Sequence, residues 1–403
     1  MANKRVFYAI EQILIAPATS TNPSYTFTNF NDSHVVHGGQ SAGLRTDFRL
    51  EQVFELGQLA NYENIENIPN IEMTVERVLD GYPLAWHLAT STGSTSPSLI
   101  GRSNARAMVA MGIFPDTQDN ASGTAVAAMM LSGAYVSALS YNFPVNGHFT
   151  ESLTMVCNNK LLYSTGGARG SGPGVLTGFF NGLYFNNPDA PVGIGGVNRR
   201  EDLLWDTGVP TGGLYTANQF YGTDANGVSV YAHATNIPVQ IVGNASGLNL
   251  LDANGDRLVH AQNIKVNSNF GRDEIFELGR RAPYFRYVRF PTEVTSEWEV
   301  LSVSGDAIEA LEEGIYSDGN NLRNESIRIA TREGTRINLG TKNKLQSVNI
   351  GGGETGGSNQ TITYTYTTFN DFTVLHTGDP KSSFRFPLTG SGNGGAYWIN
   401  PGG

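Results

Sequence analysis

The sequence predicts an all-β protein, with only minor short helices, in which one module occurs twice. Three observations carry this expectation. Charged residues make up only 15% of the 403-residue chain, and Gly (48 residues), Asn, Thr and Ser stand in their place, a composition of strands and turns rather than of long helices. Apolar and polar residues alternate at period two in segment after segment, and Asn-Gly or poly-Gly tips separate the segments. Finally, Phe48–Gly57 returns 222 positions later as Phe270–Gly279, and an internal repeat governs how everything else is read.

The first copy runs Phe48-Arg-Leu-Glu-Gln-Val-Phe-Glu-Leu-Gly57, then Ala60, Tyr62 and Pro69; the second runs Phe270-Gly-Arg-Asp-Glu-Ile-Phe-Glu-Leu-Gly279, then Ala282, Tyr284 and Pro291. Conservative pairs Glu51/Asp273 and Val53/Ile275 extend the match. A shared Phe-Glu-Leu-Gly proves little by itself in a chain this long, so the flanks carry the weight. Each copy enters from a strand: Ser33–His37 in the first, and Leu258–Val266 in the second, where Val259 and Ala261, then Ile264 and Val266, lie two apart. The pieces Glu51–Leu56 and Asp273–Leu278 each predict a single helical turn after an acidic cap, and Asn104–Met111 predicts another short helix. Downstream, Ile71–Leu79 and Glu293–Leu301 alternate β-branched with charged residues, as strands with one wet face do.

A long hairpin follows in each half. In the first, Tyr135–Phe143 turns through Pro144-Val-Asn-Gly147 and returns as Thr150–Val156; in the second, Leu345–Ile350 turns through the glycine-rich Gly351–Ser358 and returns as Thr361–Thr367. Asn-Gly and poly-Gly tips supply the positive φ that tight reversals need. A shorter hairpin, Ile327–Ile329 to Ile337–Leu339, belongs to the second half alone. The chain therefore divides into a first module with an N-terminal extension (1–165), a Gly/Asn/Tyr-rich insert or elaborated connection (166–247), and a second module with a Gly-rich tail (248–403). Aromatics recur every few residues through the connection, which argues for a packed segment rather than a flexible linker.

Charge and motifs narrow the function by exclusion. The net charge is −10, and basic residues come at most in pairs such as Arg199-Arg200 and Arg280-Arg281, so phosphate-reading DNA recognition is disfavoured. A single cysteine, Cys157, allows neither an intramolecular disulfide nor a cysteine-rich zinc site, and it reads as a small core side chain. Glu11 interrupts the N-terminal apolar run, and no stretch approaches the ~18 apolar residues of a membrane helix. No signal peptide and no membrane insertion are expected, and the compartment is aqueous and reducing.

Seven histidines stand at 34, 37, 87, 148, 233, 260 and 376; the one close pair, His34 and His37, does not share a strand face. Asp252-Ala-Asn-Gly-Asp256 lacks the rest of a calcium loop and reads as an Asx turn. Gly166–Gly174 lacks the Lys-Ser/Thr of a phosphate cradle. There is no nucleophile elbow and no His-Glu-x-x-His. Carboxylates paired for glycoside hydrolysis are distant in a chain, and nothing here singles out a pair. The Asn-x-Ser/Thr sequences at Asn120, Asn244, Asn324 and Asn359 are assigned no role. The sequence thus assigns no catalytic, cofactor-binding or metal-binding residue, expects no cofactor, and reads as a non-enzyme.

The stretch Phe270–Val300 resembles the tail tube proteins of tailed bacteriophages, as do Gly340–Val348 and the hairpin Tyr135–Val156 with Phe143-Pro-Val-Asn-Gly147 at its bend. The resemblance covers residues 36–160 and 258–375; the insert after 165 and the tail after Ser391 lie outside it. It implies β-sandwich or half-barrel modules whose inner sheets join into a ring-shaped β-barrel on oligomerisation, six modules to a ring. Two modules per chain then imply a homotrimer with pseudo-six-fold symmetry, stacked into a hollow tube. The implied partners are further copies of the chain, tape-measure, terminator and baseplate proteins, and a sheath if the tail is contractile. Double-stranded DNA would pass without specific binding, the acidic net charge suiting a wall that repels phosphate. The implied location is the virion tail, after synthesis in the host cytoplasm. Two rival readings are another tail component of the same fold, such as a tube terminator or baseplate hub, and a β-sandwich carbohydrate-binding or hydrolytic protein.

Overall fold

The computed structural model describes residues 6–18, 34–67, 69–93, 98–116, 125–164, 196–203, 260–279, 283–301, 324–351 and 359–376, with short pieces at 121, 221–223, 229–231, 235, 238 and 241. In chain order the first half contains β1 (Glu11–Pro17), β2 (His34–Val35), β3 (Gly39–Asp47), β4 (Leu50–Phe54), β5 (Asn61–Glu66) and β6 (Asn70–Val78). Two short helices, α1 (Ala85–Ala89) and α2 (Leu99–Ser103), precede β7 (Ala107–Ile113), β8 (Ala127–Pro144), β9 (Thr150–Cys157) and β10 (Asn159–Ser164). The connection holds β11 (Tyr221–Thr223) and β12 (Ser229–Tyr231). The second half contains β13 (His260–Asn269), β14 (Arg272–Ile275), β15 (Phe285–Val288), β16 (Glu293–Leu301), β17 (Arg328–Ala330), β18 (Arg336–Asn338), β19 (Lys344–Gly351), β20 (Thr361–Phe369) and β21 (Thr373–Leu375). The protein is all-β with a few short helices.

The Phe-Glu-Leu-Gly copies are not helical turns, as the sequence had suggested, but the first arms of hairpins. Leu50–Phe54 pairs antiparallel with Asn61–Glu66, and Arg272–Ile275 with Phe285–Val288. A six-residue helix closes few internal hydrogen bonds, whereas Val53, Phe54 and Ile275 suit a pleated arm. Gly57 (φ +94°) and Gly279 (φ +83°) then make the reversal. Asn104–Met111 is not a helix either. The helix lies one turn earlier, at Leu99–Ser103, capped by Ser98 Oγ accepting from Gly101 N, and Ala107–Ile113 is a strand held between β1 and β8.

One sheet runs through both halves in the order β3-β6-β9-β8-β13-β16-β20-β19. The eighteen-residue β8 belongs to two sheets: Ala127–Ala134 pairs with β7 and β10, and Tyr135–Asn142 pairs with β9. Gly133 (φ +58°) sits where the strand bends from one to the other, and a Cβ there would lie 2.8 Å from Asn158 Nδ2. Gly133→Ala is therefore expected to lower the unfolding free energy by about 1–3 kcal/mol, read as a lower urea midpoint at unchanged slope.

The halves share more than strand order. In each, the first strand pairs with the second, the second with the third and the third with the fourth: β3-β6-β9-β8 and β13-β16-β20-β19. The irregularities coincide as well. Gln40 and Gln262, 222 residues apart, are each skipped by the pairing register, and each donates its side-chain amide to the carbonyl two residues back. Ser137 and Gln346 are skipped at matching places in the fourth strands. Bulges are specific local features, so two in register mark one module used twice.

The larger of two apolar clusters among the described residues spans both halves, and the smaller, around Leu14, Ala110 and Phe114, lies in the first half. The larger is fed by the inward residues of β6 (Ile71, Met73, Val75), β9 (Leu153, Met155), β16 (Val294, Trp298) and β20 (Ile362, Tyr364), and capped by the fully buried α1. The connection is tied in at several points: Asn198 N donates to Leu79 O, Phe149 N donates to Asn198 O, and Arg332 N donates to Asp202 O.

Candidate assembly surfaces

The strands of the long sheet alternate strictly. In β6, β9, β16 and β20 every second residue is buried, and the others form a face that is open among the described residues. That face is mostly polar, with Ala138, Val156, Leu301 and Phe369 as its apolar members. It carries Thr361, Thr363, Thr365 and Thr367 on β20, Ser152 and Thr154 on β9, and Asn263, Asn267 and Asn269 on β13, each placed by its cross-strand partners. Its charges are six carboxylates (Asp47, Glu72, Glu76, Glu293, Glu297, Glu299) against Arg45, Lys265 and Lys344 on the strands and Arg289 beside them. The half-buried acids of the sequence thus collect on one acidic, hydroxyl-rich surface. A groove of about 520 Å³ crosses it where the halves meet, lined by Ser140, Thr154, Asn267, Arg289 and Glu293 among others.

The halves meet at a regular antiparallel joint. Strand β8 pairs with β13 from Pro144↔Asn263 to Ala138↔Asn269, and Phe270 N donates to Ser137 O beyond its end. Behind the joint, hairpin β14–β15 lies on the first half. Arg272 donates to the carbonyls of Val136 and Ser103 and stacks over Tyr135; Arg286 Nε donates to Asn158 Oδ1 at 2.9 Å and pairs with Glu274. Phe270 is fully buried and stacks on Trp86 of α1, with ring centroids 5.6 Å apart.

At the two ends of the sheet the equivalent groups are uncovered. Phe48, the repeat mate of Phe270, is 56% exposed, against 0%. Ile350 matches Tyr141 and is 45% exposed, against 1%. Hairpin β4–β5 is exposed along nearly its whole length, with Leu50, Phe54, Leu56, Leu59 and Tyr62 in solvent. Among the described residues, β3 pairs only with β6 and β19 only with β20.

Beneath the joint lies a buried polar network. Glu151 is the one acid on the core face of β9. Its carboxylate accepts from Ala85 N (2.8 Å), Trp86 N (3.0 Å) and Tyr141 Oη (3.1 Å), serving as the cap that α1 lacks at Leu84. Burial pushes its pKa above the ordinary carboxylate value, and Arg77 together with these donors pulls it back. Arg77, also buried, is held by Asp80 and by the carbonyls of Val78 and Pro83. In the second half burial also works to raise the pKa of Glu333, but His376, with Nε2 3.6 Å from the carboxylate, and Thr335, whose N–H donates to it, outweigh burial and hold the carboxyl below its ordinary value. A depressed folded pKa stabilises above the unfolded value and is lost as pH falls. Glu333→Gln is therefore expected to flatten the loss of stability seen below about pH 4.5, as read from urea midpoints across pH.

The described histidines and the cysteine occupy ordinary structural places, and His233 lies outside the described residues. His34 lies in β2 opposite Ile15, and His37 stacks on Tyr82 at 4.0 Å. His87 Nε2 contacts Val374 O at 3.1 Å. Among the described residues no three His, Cys, Asp or Glu side chains gather as a metal site would require. Asp252–Asp256 and Gly166–Gly174 lie outside the described residues. Cys157 is buried, and burial pushes its thiol up to about 12; the native protein is expected to leave it unmodified by iodoacetamide at pH 8, by mass spectrometry, until denaturant is added. The open face follows from the period-two pattern, but the exposed hairpin arms were not legible in the sequence, because their apolar residues read as core.

No protein-family model and no curated protein sequence matches the chain. Among solved structures, it is similar to a chain of the anti-feeding prophage baseplate (13% identity, 41% of this chain and 98% of that chain, TM-score 0.29). It is also similar to a chain of an extracellular contractile injection system sheath–tube complex (7%, 40% and 93%, TM-score 0.28) and to one of the anti-feeding prophage tube-terminating cap (9%, 41% and 94%, TM-score 0.27).

Proposed function

We propose that the chain is a virion structural protein without catalytic activity, the major subunit of a phage-type tail tube that polymerises as stacked rings. The observation that carries this reading is the eight-stranded sheet itself: two equivalent four-stranded units joined edge to edge, one face mostly polar, with an open strand edge at each end among the described residues. Unpaired edges invite further strands, and a closed barrel removes them. Three chains contribute six modules and a barrel of about 24 strands, the number set by the tail-tube resemblance of the sequence. The core, α1 and the outer strands all lie on one side of the sheet, so ring closure puts that bulk outside and the polar face inside. DNA in such a channel meets carboxylates, hydroxyls and amides with few cations, and so gains little affinity from its phosphates.

In this reading the chain assembles in the virion tail with copies of itself and with terminator, baseplate and tape-measure proteins, and with a sheath where the tail contracts. Negative-stain microscopy of the purified protein is expected to show hollow filaments or six-lobed rings, and light scattering a ring mass of three 43.4 kDa chains. Monomers under all conditions would sink the reading. Single rings that never stack would assign the chain to a tube terminus or baseplate hub instead, and six chains per ring would refute the trimer.

A further inference from the structure

We infer that the chain joins its next copy by repeating its own internal joint: β3 of one copy pairs antiparallel with β19 of another, and hairpin β4–β5 lies across the second half of that copy as β14–β15 lies across the first half of its own. The number of copies rests on the ring reading above, but the joint rests on the repeat alone. Because β3 corresponds to β13 and β19 to β8, bulge for bulge, the register of the inner joint transfers residue by residue. Tyr141↔Val266 becomes Ile350↔Leu44, and Ser140↔Asn267 becomes Asn349↔Arg45. Phe270 N on Ser137 O becomes Phe48 N on Gln346 O.

Two features single out a second copy of this chain as the occupant. The groups left exposed at the free ends, Phe48 and Ile350, are those whose counterparts Phe270 and Tyr141 are buried at the inner joint. The chemistry also changes on both sides together. Where the inner joint sets Arg272 and Asn158 against polar partners, the corresponding positions at the ends are Leu50 and Phe369, 63% and 56% exposed. The hairpin side thus loses both guanidinium groups, Leu50 and Asn64 standing for Arg272 and Arg286, and the facing side loses the amide that meets Arg286, which makes the outer joint the less polar of the two. The difference also separates the two joints: hairpin β4–β5 offers no guanidinium for Asn158, and hairpin β14–β15 would bury its own against Phe369.

Engineered disulfides test the register, since directly opposed residues of an antiparallel pair stand about 4.5–5.5 Å apart at Cα. The double variant Arg45→Cys/Asn349→Cys, oxidised with copper phenanthroline after assembly, is expected to give covalent oligomers ending at the closed ring. The control Ser41→Cys/Ser347→Cys, six residues out of register, is expected to stay monomeric on denaturing gels. Both strands are edges with exposed side chains, and buried Cys157 does not compete. Amide exchange of the unaltered protein supplies a second readout: residues 43–47, 50–66 and 347–351 should gain protection on assembly. Rings in the microscope without the Arg45–Asn349 cross-link or this protection would overturn the joint while sparing the ring reading. Cross-linking of the control pair would overturn the register. Cross-linked oligomers that build no tube would keep the joint and sink the tube.

Discussion

Replacing Glu151 by alanine is expected to cost the fold at least about 3 kcal/mol and, with it, the joint between the halves. The carboxylate accepts from two backbone N–H groups of α1 and from the hydroxyl of Tyr141, all inside the core. Each buried donor left without an acceptor costs about 1–3 kcal/mol, and the deleted side chain leaves a void beside Trp86. Relief of the buried charge offsets part of this, since burial already raises the pKa of Glu151. The loss also spreads, because α1 carries Trp86, on which Phe270 stacks, and Tyr141 pairs with Val266 across the joint. Tyr141→Phe removes one hydrogen bond and no packing, so its cost should be nearer 1 kcal/mol. Urea unfolding of the three proteins measures the ranking; equal stabilities of wild type and Glu151→Ala would refute this role.

That network also shows where the sequence was legible. Alternation places Glu151 on the same face as Leu153, Met155 and Cys157, so a buried acid could be read off the strand, but its partners could not. Only Tyr141 is a cross-strand neighbour; the two backbone donors come from a helix 65 and 66 residues upstream whose own cap position, Leu84, carries no polar group. The long hairpins, the wet faces of β6 and β16 and the repeat were legible because each rests on local periodicity or on turn glycines. The Phe-Glu-Leu-Gly arms were misread as helical turns because five or six residues cannot show a period, and the partner arm that makes them strands begins only at Asn61 and Phe285. The acidic open face was legible in composition, as a low charge with an acidic excess, but not in position. Parity along each strand and the order of the eight strands together put Glu72, Glu76, Glu297 and Glu299 on one face.

The halves are equal in topology and unequal in chemistry, and that inequality has a physical consequence. Identical joints throughout would let either half pair with either half of any copy, giving registers that differ by one module. With guanidinium and amide at the inner joint and leucine and phenylalanine at the outer one, a mismatched pairing would set Arg286 against Phe369 instead of Asn158. An unpaired buried cation costs several kcal/mol, enough to suppress that register by a factor of about a hundred or more.

Ile350→Asp is expected to leave the isolated chain folded and to abolish ring formation. The side chain is 45% exposed at the free edge of β19, so the substitution loses little packing within one chain, on the order of 0.5 kcal/mol. At the joint inferred above the same position faces Leu44 of the next copy, where its counterpart Tyr141 is buried. An aspartate there must lose its water beside apolar groups or take up a proton, and either way each joint weakens by several kcal/mol. A ring needs every joint to close, so assembly should fall by at least about a hundredfold in protein concentration, as read by sedimentation velocity. Asn349→Asp lies one residue away and points to the wet face, opposite Arg45, and should assemble as the wild type does. Leu44→Lys placed in the Ile350→Asp protein should restore part of the assembly by pairing the charge. Equal behaviour of the two aspartates would mean that parity along β19 does not divide buried from lumenal positions, and the edge-to-edge joint would fall with it.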